Sequence, residues 1–198
     1  MAGAGNAARR TGRLMALAYF AYGSNMLTER LARRCPSARP VGPAVLEDHA
    51  LAFSKIGNEG SGKATIVKQP GVAVFGVVFV LDLSERDLLD AFEGKGKGYD
   101  RIDDCAVRLL KDGATVSACT YKAPPAFRDP ALLPFDWYHA LVIAGARQHG
   151  LPEDHVARLA AAPYRPDPDR SRPAGVEARE VLASAGFDGD GAFAGYRP

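Results

Sequence analysis

Apolar positions along the chain form two kinds of pattern: unbroken runs rich in aromatic and β-branched residues, and stretches in which they recur every third or fourth position. The first kind predicts buried strands and the second helices. The earliest run, Leu14 to Tyr22, is too short to span a bilayer, and its aromatic end favours an extended first strand. It stops abruptly at Gly23-Ser24-Asn25. Leu27 and Leu31, one turn apart, then predict a helix capped by Ser24 or Asn25, with Met26, Glu29, Arg30 and Arg34 inside it. Cys35-Pro36-Ser37 breaks that pattern, because proline disfavours helix at the residue before it.

Val41 to Phe53 reads as a second strand region, followed by Thr65-Ile66-Val67 and by Val72 to Val80, with Gly71 separating the last two. Gly76 points to a bulge or to the close approach of another backbone. Ser84, with Asp87 three residues on, opens a helix that should bury Leu88, Leu89 and Phe92 and end at Gly94. Tyr99 to Leu110 and Ala114 to Lys122 read as a hairpin turning at Lys111-Asp112-Gly113. From Phe135 the period becomes helical, with Trp137, Leu141, Ile143 and Ala144 inward and a stop at His149-Gly150. A further helix, Pro152 to Ala162, starts with proline and acidic residues. The organisation expected is a disordered arm at 1–15, one domain at 16–162 and a loosely attached Pro/Gly-rich extension at 163–198 with one short helix from Val176 to Ala185.

Composition narrows the function classes. With 198 residues and 47% apolar content the chain can bury one sizeable core. Its 25 basic and 23 acidic residues nearly cancel and are scattered, so no footprint for nucleic acid or anionic lipid is expected. Arg9, Arg10 and Arg13 precede an apolar run that lacks a small-residue cleavage site, which disfavours a signal peptide, and no stretch suits a transmembrane helix. Cys35, Cys105 and Cys119 form no CxxC pair, which fits a reducing cytoplasm, and Cys105 and Cys119 read as core residues. His49, His139, His149 and His155 show no ligand spacing, so no metal is predicted.

Three stretches carry candidate chemistry. Gly57 to Ala64 nearly matches the phosphate-loop pattern GxxxxGK[ST], but Ala64 replaces the hydroxyl that would ligate magnesium, and strand rather than helix follows. It is expected to be a flexible loop. The corner at Gly23 to Asn25 presents helix-start N–H groups that attract carboxylates and developing oxyanions, although such corners also occur as plain turns. Glu93 lies four residues after Leu89, at the edge of the inward face and in the last helical turn. Both placements disfavour a charged carboxyl, which suits a proton acceptor, while a solvated glutamate at a frayed end is the bland alternative. Lys95 and Lys97 lie in the mobile loop after it, either solvated or attractive to an acidic substrate. For Tyr99, Tyr121 and Tyr138 spacing does not choose between packing and a pocket.

In combination these stretches resemble the gamma-glutamylcyclotransferases and the wider AIG2-like fold. The likeness lies in Tyr19-Phe20-Ala21-Tyr22-Gly23-Ser24-Asn25 with Leu27-Thr28-Glu29-Arg30, Ala64-Thr65-Ile66, Val74-Phe75-Gly76-Val77-Val78, Glu93-Gly94 with Tyr99, Ser117 to Tyr121, Gly145-Ala146-Arg147 and Gly150-Leu151-Pro152. It runs from about Ala18 to Ala185, and Asn25 departs from the variant motif of the glutathione-specific branch. The resemblance implies an α+β fold, a small, strongly bent mixed β-barrel with flanking helices. It also implies a cytoplasmic enzyme that needs no cofactor and acts on a small-molecule γ-glutamyl substrate, and it leaves a homodimer open. Glu93 would be the catalytic acid/base. The substrate loop would be Tyr19, Phe20, Ala21, Tyr22, Gly23, Ser24 and Asn25, with Tyr99, Tyr121 and Tyr138 near the glutamyl group. The implied reaction releases 5-oxoproline and an amino acid. The alternatives are a γ-glutamyl amine or protected biosynthetic intermediate as substrate, and an inactive ligand-binding relative.

Overall fold

The computed structural model describes residues 15–187, so the predicted arm, Met15 apart, and the end of the extension lie outside the described residues. Within them the apolar runs form β1 (Ala16–Ala21), β2 (Arg39–Ile56), β3 (Gly62–Asp82), β4 (Asp100–Leu109) and β5 (Thr115–Lys122). The helical stretches form α1 (Thr28–Arg34), α2 (Arg86–Glu93), α3 (Asp136–Gln148), α4 (Glu153–Ala161) and α5 (Pro173–Ser184).

The strands close a mixed barrel in the order β1-β3-β2-β4-β5, which removes exposed sheet edges. All neighbours are antiparallel except at the seam, where β1 runs parallel to β5 and Tyr19 pairs with Cys119. The Thr120 hydroxyl ties that seam by donating to the Phe20 carbonyl at 2.9 Å. Gly76 sits where β1 crosses: a Cβ there would come within 2.3 Å of the Ala21 carbonyl and 2.8 Å of the Phe20 ring. Close backbone approach, one of the two sequence expectations for this glycine, accounts for it.

Several local expectations need correction. Gly71 does not separate two strands. β3 passes through it at a bulge, where Gly71 (φ +76) faces Asp48 (φ +56) and donates its N–H to the Asp48 carboxylate at 3.0 Å. Ser24 and Asn25 cap no helix. They form a 3-10 turn of their own, Ser24–Met26, and α1 starts at Thr28, whose N–H is met by Gln148 Oε1 at 2.9 Å. Ser84 likewise lies in a 3-10 turn, and α2 has no side-chain cap. Only Leu89 of the expected α2 face is fully buried, with Leu88 43% and Phe92 49% exposed, because this eight-residue helix rests on the barrel rim along one narrow line.

The extension is not loosely attached over 173–184. α5 packs on α3 and α1, burying Ala178, Val181 and Leu182, and reaches α1 through Arg30–Glu177 and Arg33–Glu180 pairs. Small apolar residues at helical spacing fit a close interhelical contact that the prolines and glycines around them obscure. No helix among the described residues is long and apolar enough to cross a membrane.

Candidate active site

β1 ends inside the barrel mouth, and the chain there turns sharply through Gly23 into the Ser24–Met26 turn. Gly23 has an ordinary negative φ of −116°; space is what demands glycine, since a Cβ would meet Ala64 Cβ at 3.1 Å and the Tyr138 hydroxyl at 3.3 Å. α3 backs the turn from behind. Its Gly145 leaves room for the Met26 and Leu27 backbone, which a Cβ would meet at 2.6 to 2.8 Å.

Glu93 is the last residue of α2, and Gly94 ends the helix in the left-handed conformation (φ +72). The Tyr19 hydroxyl donates to Glu93 Oε1 at 2.7 Å, and Asn25 Nδ2 donates to the same oxygen at 2.6 Å. Both bonds therefore fall on Oε1. Burial, reinforced by the neighbouring Glu93 charge, pushes the Tyr19 phenol far up, so it stays protonated and can only donate to the carboxylate. Arg34, in the last turn of α1, donates to Asn25 Oδ1 at 3.0 Å. A guanidinium has no acceptor, so the amide oxygen must face Arg34 and the NH₂ must face Glu93. Arg34 also rests over the Phe92 ring, 5.4 Å from its centroid.

Five tyrosines surround this centre, and burial pushes all five phenols up. Four spend their protons on the protein. Tyr19 donates to Glu93, Tyr22 to the Tyr121 carbonyl, Tyr99 to the Ala64 carbonyl at 2.6 Å, and Tyr121 to Asp90 Oδ1 at 2.6 Å. Tyr138 differs. Its oxygen accepts the Ala64 N–H at 3.1 Å and its hydroxyl is shared with the Ser24 hydroxyl, so its proton is committed to no carbonyl or carboxylate of the protein. Asp90, one turn before Glu93, is further held by Arg101 at 2.6 Å and Lys95 at 3.1 Å, so the α2 end is fastened to β4 and β5. Lys95 is thus paired.

Tyr19, Tyr22, Gly23, Ser24, Asn25, Glu93, Tyr99, Tyr121 and Tyr138 line one narrow cavity of about 40 Å³. Phe20 and Ala21 do not: both are buried against β3 in the barrel wall. The cavity also takes in Arg34 and Ala64, which sequence reasoning missed. Arg34 reads as an ordinary cation at a helix C-terminus, and Ala64 contributes its backbone N–H and carbonyl, which its side chain does not announce, although Ala64-Thr65-Ile66 is among the stretches that carry the family resemblance. A wider chamber of about 200 Å³ shares Ser24, Arg34, Glu93, Tyr99 and Tyr138 with this cavity and extends to the Gly57–Lys63 loop. In that loop Lys63 pairs with Glu59 and lies 4.2 Å from the Trp137 ring centroid, and burial pushes its ammonium down to about 8. A larger apolar cavity of about 520 Å³, between Phe53, Val67, Pro125, Leu133 and Pro163, contains none of these acid/base groups. Among the described residues no cluster of three or more His, Cys, Asp or Glu could hold a metal ion.

A family described as gamma-glutamyl cyclotransferase, AIG2-like, matches residues 19–139. The chain is 34% identical to a gamma-glutamylcyclotransferase of Homo sapiens over 148 residues, covering 72% of this chain and 77% of that protein. A gamma-glutamylcyclotransferase of Bos taurus is also 34% identical, over 146 residues and 76% of its length. The solved structure of a gamma-glutamyl cyclotransferase superposes with a TM-score of 0.77 at 28% identity, covering 86% of this chain and 99% of that one.

Proposed function

The chain belongs to the gamma-glutamyl cyclotransferase, AIG2-like family, and from that premise we propose that it is a γ-glutamyl cyclotransferase, converting a γ-glutamyl amino acid or peptide to 5-oxoproline and the free amino acid or peptide. The observation that carries the reading is the double hydrogen bond to Glu93 Oε1 from the neutral donors Tyr19 and Asn25, at the edge of a cavity lined by the Gly23–Asn25 corner. It fixes one carboxylate oxygen as acceptor and leaves the other for a substrate proton.

The reaction is intramolecular. The α-nitrogen of the glutamyl group bonds to its own γ-carbonyl carbon, the bond from that carbon to the leaving nitrogen breaks, and no water or cofactor enters. Holding the chain bent in near-attack geometry supplies much of the rate. Glu93 takes a proton from the α-ammonium to free the nucleophile, and a proton passes through the same carboxyl to the leaving nitrogen as the tetrahedral intermediate collapses. The Tyr138 hydroxyl and the N–H groups around Gly23 to Asn25 are the donors available to the γ-carbonyl oxygen as it gains charge. The three buried, unpaired thiols support a reducing cytoplasm as its location, with burial pushing the Cys119 thiol up to about 12.

The test is direct. The protein is incubated with γ-glutamyl amino acids, γ-glutamyl amines and glutathione, and 5-oxoproline is assayed. Absence of product from every compound removes the enzyme reading. Glu93→Gln keeps the hydrogen-bonded shape and is expected to lower kcat by about 10³-fold with an unchanged melting temperature.

A further inference from the structure

The chamber beyond Glu93 is basic in a way the cyclotransferase chemistry itself does not require. Its wall carries Arg30, Arg34, Lys55 and Lys63 against two acids, Glu59 and Glu93. Glu59 is taken by Lys63. Lys55, half-buried on β2, has no acid within ion-pair distance among the described residues and lies 5.1 Å from the Tyr99 ring centroid, at the boundary with the narrow cavity. Arg30 is only 5% exposed, its Nε finds no hydrogen-bond partner, and its pair with Glu177 is long, at 3.4 Å, to a side chain 41% exposed. A buried guanidinium left partly unsatisfied and an ammonium that feels Glu59 and Glu93 only at a distance, facing one cavity, make a place for anions.

Resting on the cyclotransferase reading, we propose that this chamber receives the leaving amino acid and selects one with two carboxylates, γ-glutamyl-glutamate or γ-glutamyl-aspartate, with Lys55 as the selecting residue. The charges are complementary. The chamber wall carries four cations and two acids, with Glu177 reaching Arg30 only from outside at 3.4 Å, and such a substrate, with one ammonium and three carboxylates, brings two negative charges to this positive surplus. A substrate with a neutral leaving amino acid brings one negative charge, and one with a simple amine brings none. The aromatic walls Phe92 and Trp137 cover the methylenes between the two carboxylates and lower the local dielectric, which strengthens the pairing.

The experiment compares kcat/KM for γ-glutamyl-glutamate, γ-glutamyl-alanine and γ-glutamyl-ethylamide. Each lost carboxylate is expected to cost roughly tenfold, and added salt should shrink the steps. Lys55→Met should bring the glutamate-to-alanine ratio close to unity through KM, and Lys55→Arg should keep it. The wild-type ratio and its salt dependence stand without any variant. Equal turnover of the glutamate and alanine substrates, or a ratio that survives Lys55→Met in a folded protein, overturns this selection while leaving the cyclotransferase reading intact. 5-Oxoproline from none of the three overturns both.

Discussion

Asn25 turns its amide nitrogen toward Glu93, 2.6 Å from Oε1, because Arg34 holds the opposite end of the same amide at 3.0 Å. Asn25→Asp preserves the shape and the Arg34 contact but puts a second carboxyl against Glu93, so the pair must share a proton. We expect kcat to fall by about 10²-fold or more, measured as 5-oxoproline release, with the chain still folded. Wild-type turnover in this variant would mean that the amide does not orient Glu93.

Tyr138 meets the backbone N–H of Ala64 and Tyr99 its carbonyl, yet only Tyr99 spends its proton there. Tyr138→Phe should lower kcat by about 10²-fold with little change in KM, because the donor it removes matters most to the charged intermediate. Tyr99→Phe removes a bond made within the protein and should cost stability, about 1 kcal/mol, more than turnover. Equal kinetic losses in the two variants would contradict this division.

Gly145→Ala tests how firmly α3 backs the Ser24–Met26 turn. The new Cβ would lie 2.6 Å from the Leu27 nitrogen and 2.7 Å from Met26 Cβ, so backbone must shift. A loss of about 2 kcal/mol is expected in urea unfolding, together with lower activity because the displaced turn carries Asn25. Unchanged stability would show that the turn yields freely.

His155 gives the fold an acid sensitivity. It is buried on α4 against Phe75, with ring centroids 5.2 Å apart, and burial, with Arg158 adding to it, pushes its imidazole down from 6.5 to about 4. As pH falls through that window the unfolded chain binds a proton that the folded chain refuses, so stability is full above 6.5 and drops toward pH 4. Between pH 7 and 4.5 the wild type should lose about 2 kcal/mol more than His155→Leu in urea unfolding. Identical losses would assign the sensitivity elsewhere.

Much of the fold is legible in the sequence because it is written in local period. The strand runs, the hairpin at Lys111-Asp112-Gly113 and the stop at Gly94 each follow from a few neighbouring residues. What was not legible depends on distant partners. The N–H of Thr28 is capped by Gln148 rather than by its own neighbours, and Phe92 stays at the surface beneath Arg34 instead of joining Leu89 in the core. In the site, Tyr19, Asn25 and Glu93 meet as the family resemblance implies, whereas Phe20 alternates to the opposite face of β1 and Ala21, on the face of Tyr19, has too short a side chain to reach the cavity. The peptide of Ala64 and the charge of Arg34 enter the centre through tertiary packing alone.

The seam of the barrel has a consequence for how this protein can change. Tyr19 is at once the residue of β1 paired with Cys119 across the closing strands and the donor to Glu93. A slip of β1 by one position would bring Ala18 or Phe20 to that place, losing the phenol in the same step that reshapes the closure. Substitutions can therefore tune this centre one residue at a time, but insertions and deletions in β1 cannot. Length variation is confined to turns away from the seam, such as Lys111 to Gly113.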